Sequence, residues 1–104
     1  MKKILIVDDD AELRSSFGEV LRAEGYLTTD TASPIEALEM AGAQEFDVVL
    51  LDFMMPEMNG MDALIALKKL RPKIKVIMMT AFASVENAVE AVKKGVSDYL
   101  QKPF

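Results

Sequence analysis

Short apolar runs alternate with segments of helical period along this chain, roughly every 20–27 residues. Lys3–Val7 reads as a strand and Ala11–Glu24 as a helix whose Leu13, Phe17, Val20 and Leu21 form one apolar stripe. Gly25 supplies the stop. Leu27–Thr31 is a second strand. Ser33-Pro34-Ile35-Glu36 opens the next helix, with Ser33 as N-cap, Pro34 at the first helical position and Glu36 completing a capping box. Val48–Leu51 is a third strand, Met61–Leu70 a helix closed by Pro72, and Lys75–Met79 a fourth strand. Ser84 caps a fourth helix, in which Val85, Ala88, Val89 and Val92 repeat at helical spacing until Gly95. Asp98–Gln101 is a fifth strand. Strands alternating with helices predict a parallel α/β sheet.

The strands differ in kind. Ile4–Val7, Val48–Leu51 and Val76–Met79 are apolar at every position, as central parallel strands buried on both faces must be. Leu27–Thr31 is half polar and Tyr99-Leu100 is very short, so both belong at sheet edges. With right-handed crossovers these constraints give the strand order 2-1-3-4-5. The first helix then lies alone on one face and the other three on the opposite face. Part of the sheet beside the first helix is left uncovered, which predicts self-association through that face.

Composition narrows the chemistry. The 104 residues suit one domain, and a hydrophobic share of 51% is enough for one sizeable core. Twelve Lys and Arg against seventeen Asp and Glu give a formal charge of −5, which argues against nucleic acid or an anionic membrane as a direct partner. The absence of cysteine and histidine excludes disulfides, thiolate chemistry, zinc fingers, His-ligated metals and any Ser-His-Asp triad. The apolar run after Met1-Lys2-Lys3 is too short for a signal peptide, and no stretch reaches the ~20 apolar residues of a membrane span. The expected location is the cytoplasm.

In open α/β sheets, ligands bind beyond the carboxyl ends of the strands where strand order reverses, here between strands 1 and 3. Asp8 and Asp9 arrive there from strand 1 and Asp52 from strand 3, while Thr80 follows strand 4 and Lys102 follows strand 5. Each has an ordinary structural reading alone: an Asp run as helix cap, Asp52 as a turn residue, Thr80 as a strand former, Lys102 as a solvated charge. Their joint placement changes that. Two like charges ~4 Å apart repel by ~4 kcal/mol at an effective dielectric near 20, so three carboxylates call for a cation among them. Oxygen ligands without His or Cys favour a hard ion such as Mg²⁺, which shares its ligands with phosphate. A carboxylate flanked by such an ion, a hydroxyl and an ammonium suits phosphoryl transfer, with an Asp as acceptor.

Ile4-Leu5-Ile6-Val7-Asp8-Asp9-Asp10, Leu50-Leu51-Asp52-Phe53-Met54-Met55-Pro56-Glu57-Met58-Asn59-Gly60, Met79-Thr80-Ala81 and Asp98-Tyr99-Leu100-Gln101-Lys102-Pro103-Phe104 fall in order along the whole chain. Together they resemble the receiver domain of two-component response regulators. Thr80–Val89 resembles in particular the NtrC class, whose receivers precede a sigma-54-activating ATPase. The resemblance implies a flavodoxin-like (CheY-like) fold with Asp52 as phosphoacceptor. It implies Mg²⁺ held by Asp8, Asp9, Asp52 and the backbone carbonyl of Met54. Thr80 matches the hydroxyl that bonds the phosphoryl group, Lys102 the ammonium that pairs with it, and Tyr99 the aromatic whose rotamer follows Thr80. Pro56 and Gly60 match turn residues leading into the third helix, and Pro103 matches the family's Lys-Pro peptide. The implied partners are a sensor histidine kinase or a histidine phosphotransfer domain, which supplies the histidine this chain lacks, and a downstream output domain.

One departure accompanies the match. Receivers carry a fifth helix after the Lys-Pro segment, and this sequence ends at Phe104, so residues 1–104 are expected to be a receiver cut before that helix from a longer regulator. Three other readings compete. A haloacid-dehalogenase-type, Mg²⁺-dependent aspartyl phosphatase would use Asp8 and Asp10, but the following Thr is missing and there is no room for a cap domain. A flavin-binding flavodoxin would need hydroxyls and amides in a first loop that here carries three acids. A phosphorylation-independent interaction module on the same scaffold would not need the five site residues.

Overall fold

The computed structural model describes residues 2–52, 55, 57–80 and 98–101, with residues 79, 80 and 98–101 described through their backbone. The elements run β1 (Lys3–Val7), α1 (Ala11–Ala23), β2 (Leu27–Thr31), α2 (Pro34–Ala43), β3 (Val48–Asp52), α3 (Gly60–Leu70), β4 (Lys75–Thr80) and β5 (Asp98–Gln101). The five strands are parallel and ordered β2-β1-β3-β4-β5, as the apolar and polar strand types required. The predicted helix from Ser84 to Gly95 lies outside the described residues.

Local chemistry sets the helix ends. Asp10 caps α1, its carboxylate accepting the Glu12 and Leu13 amides at 3.0 and 3.2 Å. At the other end Gly25 takes a φ of +96° that a side chain would resist. This lets the Tyr26 amide reach the Leu21 carbonyl and the Gly25 amide the Arg22 carbonyl, the paired bonds of a Schellman stop. Ser33 caps α2 through a 3.1 Å bond from the Glu36 amide to its hydroxyl. The expected return bond from the Glu36 carboxylate is not what holds the Ser33 amide, which donates instead to Thr31 Oγ1 at 3.1 Å. α3 starts at Gly60, one residue before its expected start, because Asn59 Oδ1 accepts the Asp62 amide at 2.9 Å and makes Asn59 the cap.

The sheet packs unequally on its two faces. Leu5, Val7, Val49, Leu51, Val76 and Met78 meet Ala37 and Ala41 of α2 and Ala63, Leu64 and Leu67 of α3, all in one closed cluster. On the other face Ile4, Ile6 and Leu50 are buried, but Phe17, Leu21, Val48 and Ile77 around them are only partly so. Among the described residues α1 and its neighbours therefore form the thinner side of the sheet. Val20 corrects the expected stripe, being 62% exposed. Leu13, Arg14, Phe17, Gly18 and Leu21 are at least partly buried, and at 100° per residue Val20 sits about 90° around the helix from their centre.

Candidate functional site

Strand register builds the site. β1 pairs with β3 so that Val7 stands beside Leu51, which makes Asp8 and Asp52 neighbours at the carboxyl edge of the sheet. The reversal of strand order falls between these two strands. One carboxylate oxygen from each of Asp8, Asp9 and Asp52 lies within 4.8 Å of the others. Asp8 and Asp52 are buried and Asp9 is exposed. At that separation each ionised pair repels by about 3 kcal/mol at an effective dielectric of 20, and burial adds a desolvation penalty. A hard divalent cation, bound through oxygens alone, offsets both terms, so these residues fit a metal of the Mg²⁺ type.

The surrounding bonds hold Asp8 in place. Its amide donates to the Thr31 carbonyl at 3.2 Å, tying the end of β1 to the end of β2. Its Oδ1 accepts the Asp10 amide at 2.9 Å, and Asp10 in turn caps α1. The Asp10 carboxylate is thus committed to the helix, and among the described residues the acids that converge are Asp8, Asp9 and Asp52. Arg14 adds a clamp. Its Nε donates to Asp30 and its Nη1 to the Asp8 carbonyl, both at 2.8 Å. The Arg14 side chain is only 18% exposed, so this link between α1, β1 and β2 is partly shielded from water.

The other expected site residues reach this edge to different degrees. Met79 pairs with Asp52, so Thr80 ends β4 one residue beyond it and stands beside Gln101. Tyr99 lies in β5 opposite Met78. Gly60, buried, opens α3. Met54, Pro56, Lys102 and Pro103 lie outside the described residues. Sequence reasoning missed the Arg14–Asp30 clamp and the Asn59 cap. Only the Asn-Gly step before α3 signalled either one, as a polar cap ahead of an apolar helical run.

Comparison with known proteins agrees with this architecture. Residues 4–104 match the family model described as response regulator receiver domain. The transcriptional regulatory protein ZraR of Escherichia coli K12 is 47% identical over 101 residues, covering 97% of this chain and 23% of ZraR. The chain therefore spans about a quarter of the length of such curated relatives. A response regulator receiver domain from Methanospirillum hungatei JF-1 superposes with a TM-score of 0.96 at 38% identity, covering 100% of this chain and 83% of that one. The beryllofluoride-activated NtrC4 receiver domain, solved as a dimer, gives 0.95 at 36% identity over 100% of this chain and 86% of its own. With its sheet order, its acidic edge and these matches, the chain belongs to the response regulator receiver domain family and has relatives in the NtrC class.

Proposed function

We propose that this domain is a phosphoacceptor switch in which Asp52 takes a phosphoryl group from a phosphohistidine of a sensor kinase or histidine phosphotransfer domain. The observation that carries the reading is the convergence of Asp8, Asp9 and Asp52 within 4.8 Å, with the acceptor at the end of a central strand. An Asp52 oxygen forms the new bond to phosphorus as the phosphorus–nitrogen bond breaks, and the electron pair of that bond stays on the imidazole. Asp8, Asp9, Asp52 and the Met54 carbonyl would hold Mg²⁺, which when bound neutralises charge on the phosphoryl oxygens. Thr80 supplies a hydroxyl to the phosphorylated state and Lys102 a fixed positive charge, while Tyr99 follows Thr80 in the switch. Pro56, Gly60 and Pro103 shape the loops around them. The domain does no turnover on an external substrate beyond its own phosphorylation and dephosphorylation.

The match to the transcriptional regulatory protein ZraR supports an output domain that acts in transcription, of the sigma-54-activator type, in a cytoplasmic regulator. The net charge of −5 supports a receiver that itself makes no direct contact with nucleic acid or membrane. Among the described residues no helix is long and apolar enough to cross a membrane. The thin packing beside α1 supports self-association through that face. Sedimentation over a micromolar range is expected to show concentration-dependent association, and a monomer throughout would remove that part.

Mapping the modified residue by mass spectrometry, after treatment with a small phosphodonor and Mg²⁺, tests the central reading. Label on Asp52, lost in Asp52→Ala and without Mg²⁺, is expected. Full labelling of Asp52→Ala would sink it, and label on Asp8 would favour the aspartyl phosphatase. No label under any donor would favour the phosphorylation-independent module. The commitment of the Asp10 carboxylate to the α1 cap already weighs against the phosphatase, which needs Asp8 and Asp10 together.

A further inference from the structure

The amino ends of the strands, opposite the acidic edge, form a groove of about 710 Å³ with a different character. Its apolar floor holds Phe46 and Ile74, both buried, and Leu70, which is 48% exposed. Around it stand Lys2, Lys73 and Lys75, all exposed. Basic residues at a helix carboxyl end are ordinary partners of the helix dipole, and Lys68 and Arg71 serve α3 in that way. Lys68 donates to the Ile74 carbonyl, and Arg71 donates to the Ala41 carbonyl at 3.0 Å and pairs loosely with Glu45 at 3.6 Å. Lys2, Lys73 and Lys75 lie outside any described helix, and among the described residues none of their three ammonium groups has a hydrogen-bond or ion-pair partner.

Two acids share the groove. The Asp47 carboxylate is taken by the Lys3 amide at 2.7 Å, and Glu45 is 85% exposed beside Arg71. Three uncommitted ammonium groups around apolar side chains, on a chain of net charge −5, make a local field of the opposite sign to the whole. An anion without apolar groups would leave Leu70 in water, and a purely apolar partner would leave the lysines unused.

We infer that this groove docks an acidic protein segment carrying an apolar side chain, which seats on Leu70, Phe46 and Ile74 while its carboxylates meet Lys2, Lys73 and Lys75. The contact is independent of Asp52, because it lies at the opposite end of the sheet. Its charge pairs are exposed and therefore screened, so binding is fast, weak and salt-sensitive.

The test is a titration of the 104-residue chain with a capped peptide of glutamates interrupted by one Leu and one Phe, followed by amide chemical shifts. Shifts should cluster at Phe46, Leu70, Ile74 and Lys75 and fade with added salt. A peptide with Gln in place of every Glu should bind about tenfold more weakly or worse, as should the acidic peptide with the Lys73→Glu/Lys75→Glu variant. Leu70→Ser should weaken binding by a smaller factor, and Asp52→Ala should leave it unchanged. Shifts spread over the surface, equal binding of the Gln peptide, or undiminished binding by the lysine variant would each overturn the inference. Tighter binding to duplex DNA or to phosphatidylserine vesicles than to the peptide would overturn it as well.

Discussion

The two faces of one sheet differ because two helices cover one and α1 alone covers the other among the described residues. On the α2–α3 side small residues do the fitting. Ala37, Ala41 and Ala63 let both helices approach the strands closely, and Leu64 and Leu67 fill the space between them to complete burial. On the α1 side the helix places Phe17 and Leu21 against Ile4, Ile6 and Leu50, and Val48 and Ile77 on the neighbouring strands remain half open. Equal strand hydrophobicity does not make equal packing, since the density of a core is decided by what lies on top of it.

Leu67→Ala on the dense face should show the contrast most strongly, with a loss of about 2–5 kcal/mol of stability in urea unfolding, because the emptied space cannot collapse. A loss below about 1 kcal/mol would mean that the face is not as tightly built as it looks. The next largest effect belongs to the edge that both faces share. Mg²⁺ at a hundredfold excess over its dissociation constant should add ~2.7 kcal/mol, and Asp9→Ala should abolish most of that gain. An unchanged melting temperature in millimolar Mg²⁺ would remove the metal from the site. On the thin face Phe17→Ala should cost about 1–2 kcal/mol, less than the ~3–5 of a fully buried aromatic, and Val20→Ser should stay within about 0.5 kcal/mol. If the Phe17 change matched that of Leu67, the distinction between the faces would fail.

Among the described residues the strands and the helix starts were legible to within a residue or so, because each is announced by a period and a boundary residue. The fully apolar runs marked β1, β3 and β4 as central, and Ser33-Pro34 and Gly25 marked helix ends through their own backbone preferences. The candidate site was legible for a topological reason. Once the strand order was known, register alone brought Asp8 and Asp52 together. Contacts set by three-dimensional approach were not legible. Val20 fits an apolar stripe by spacing, but which side of that stripe meets the sheet depends on how α1 leans, and Phe17 and Leu21 pack on the buried cluster while Val20 faces water. Arg14 and Asp30 are sixteen residues apart in different elements, and no local signal joins them. The Ser33 amide found Thr31 because β2 ends beside it, a competitor invisible to a four-residue motif.

β2 ends the sheet on one side, and its sequence Leu27-Thr28-Thr29-Asp30-Thr31 has a consequence for solubility as the chain emerges and folds. An edge strand offers unpaired amides and carbonyls to any other extended chain, and flat apolar edges grow into ordered aggregates. Here the residue before the strand's last carries a carboxylate, half exposed and bound to Arg14, and threonines take up three of the five positions. A second strand arriving in register would have to lay its own Asp30 beside this one, placing two like charges a strand spacing apart. The polarity that makes β2 a poor contributor to the core thus guards the sheet against templating its own copies.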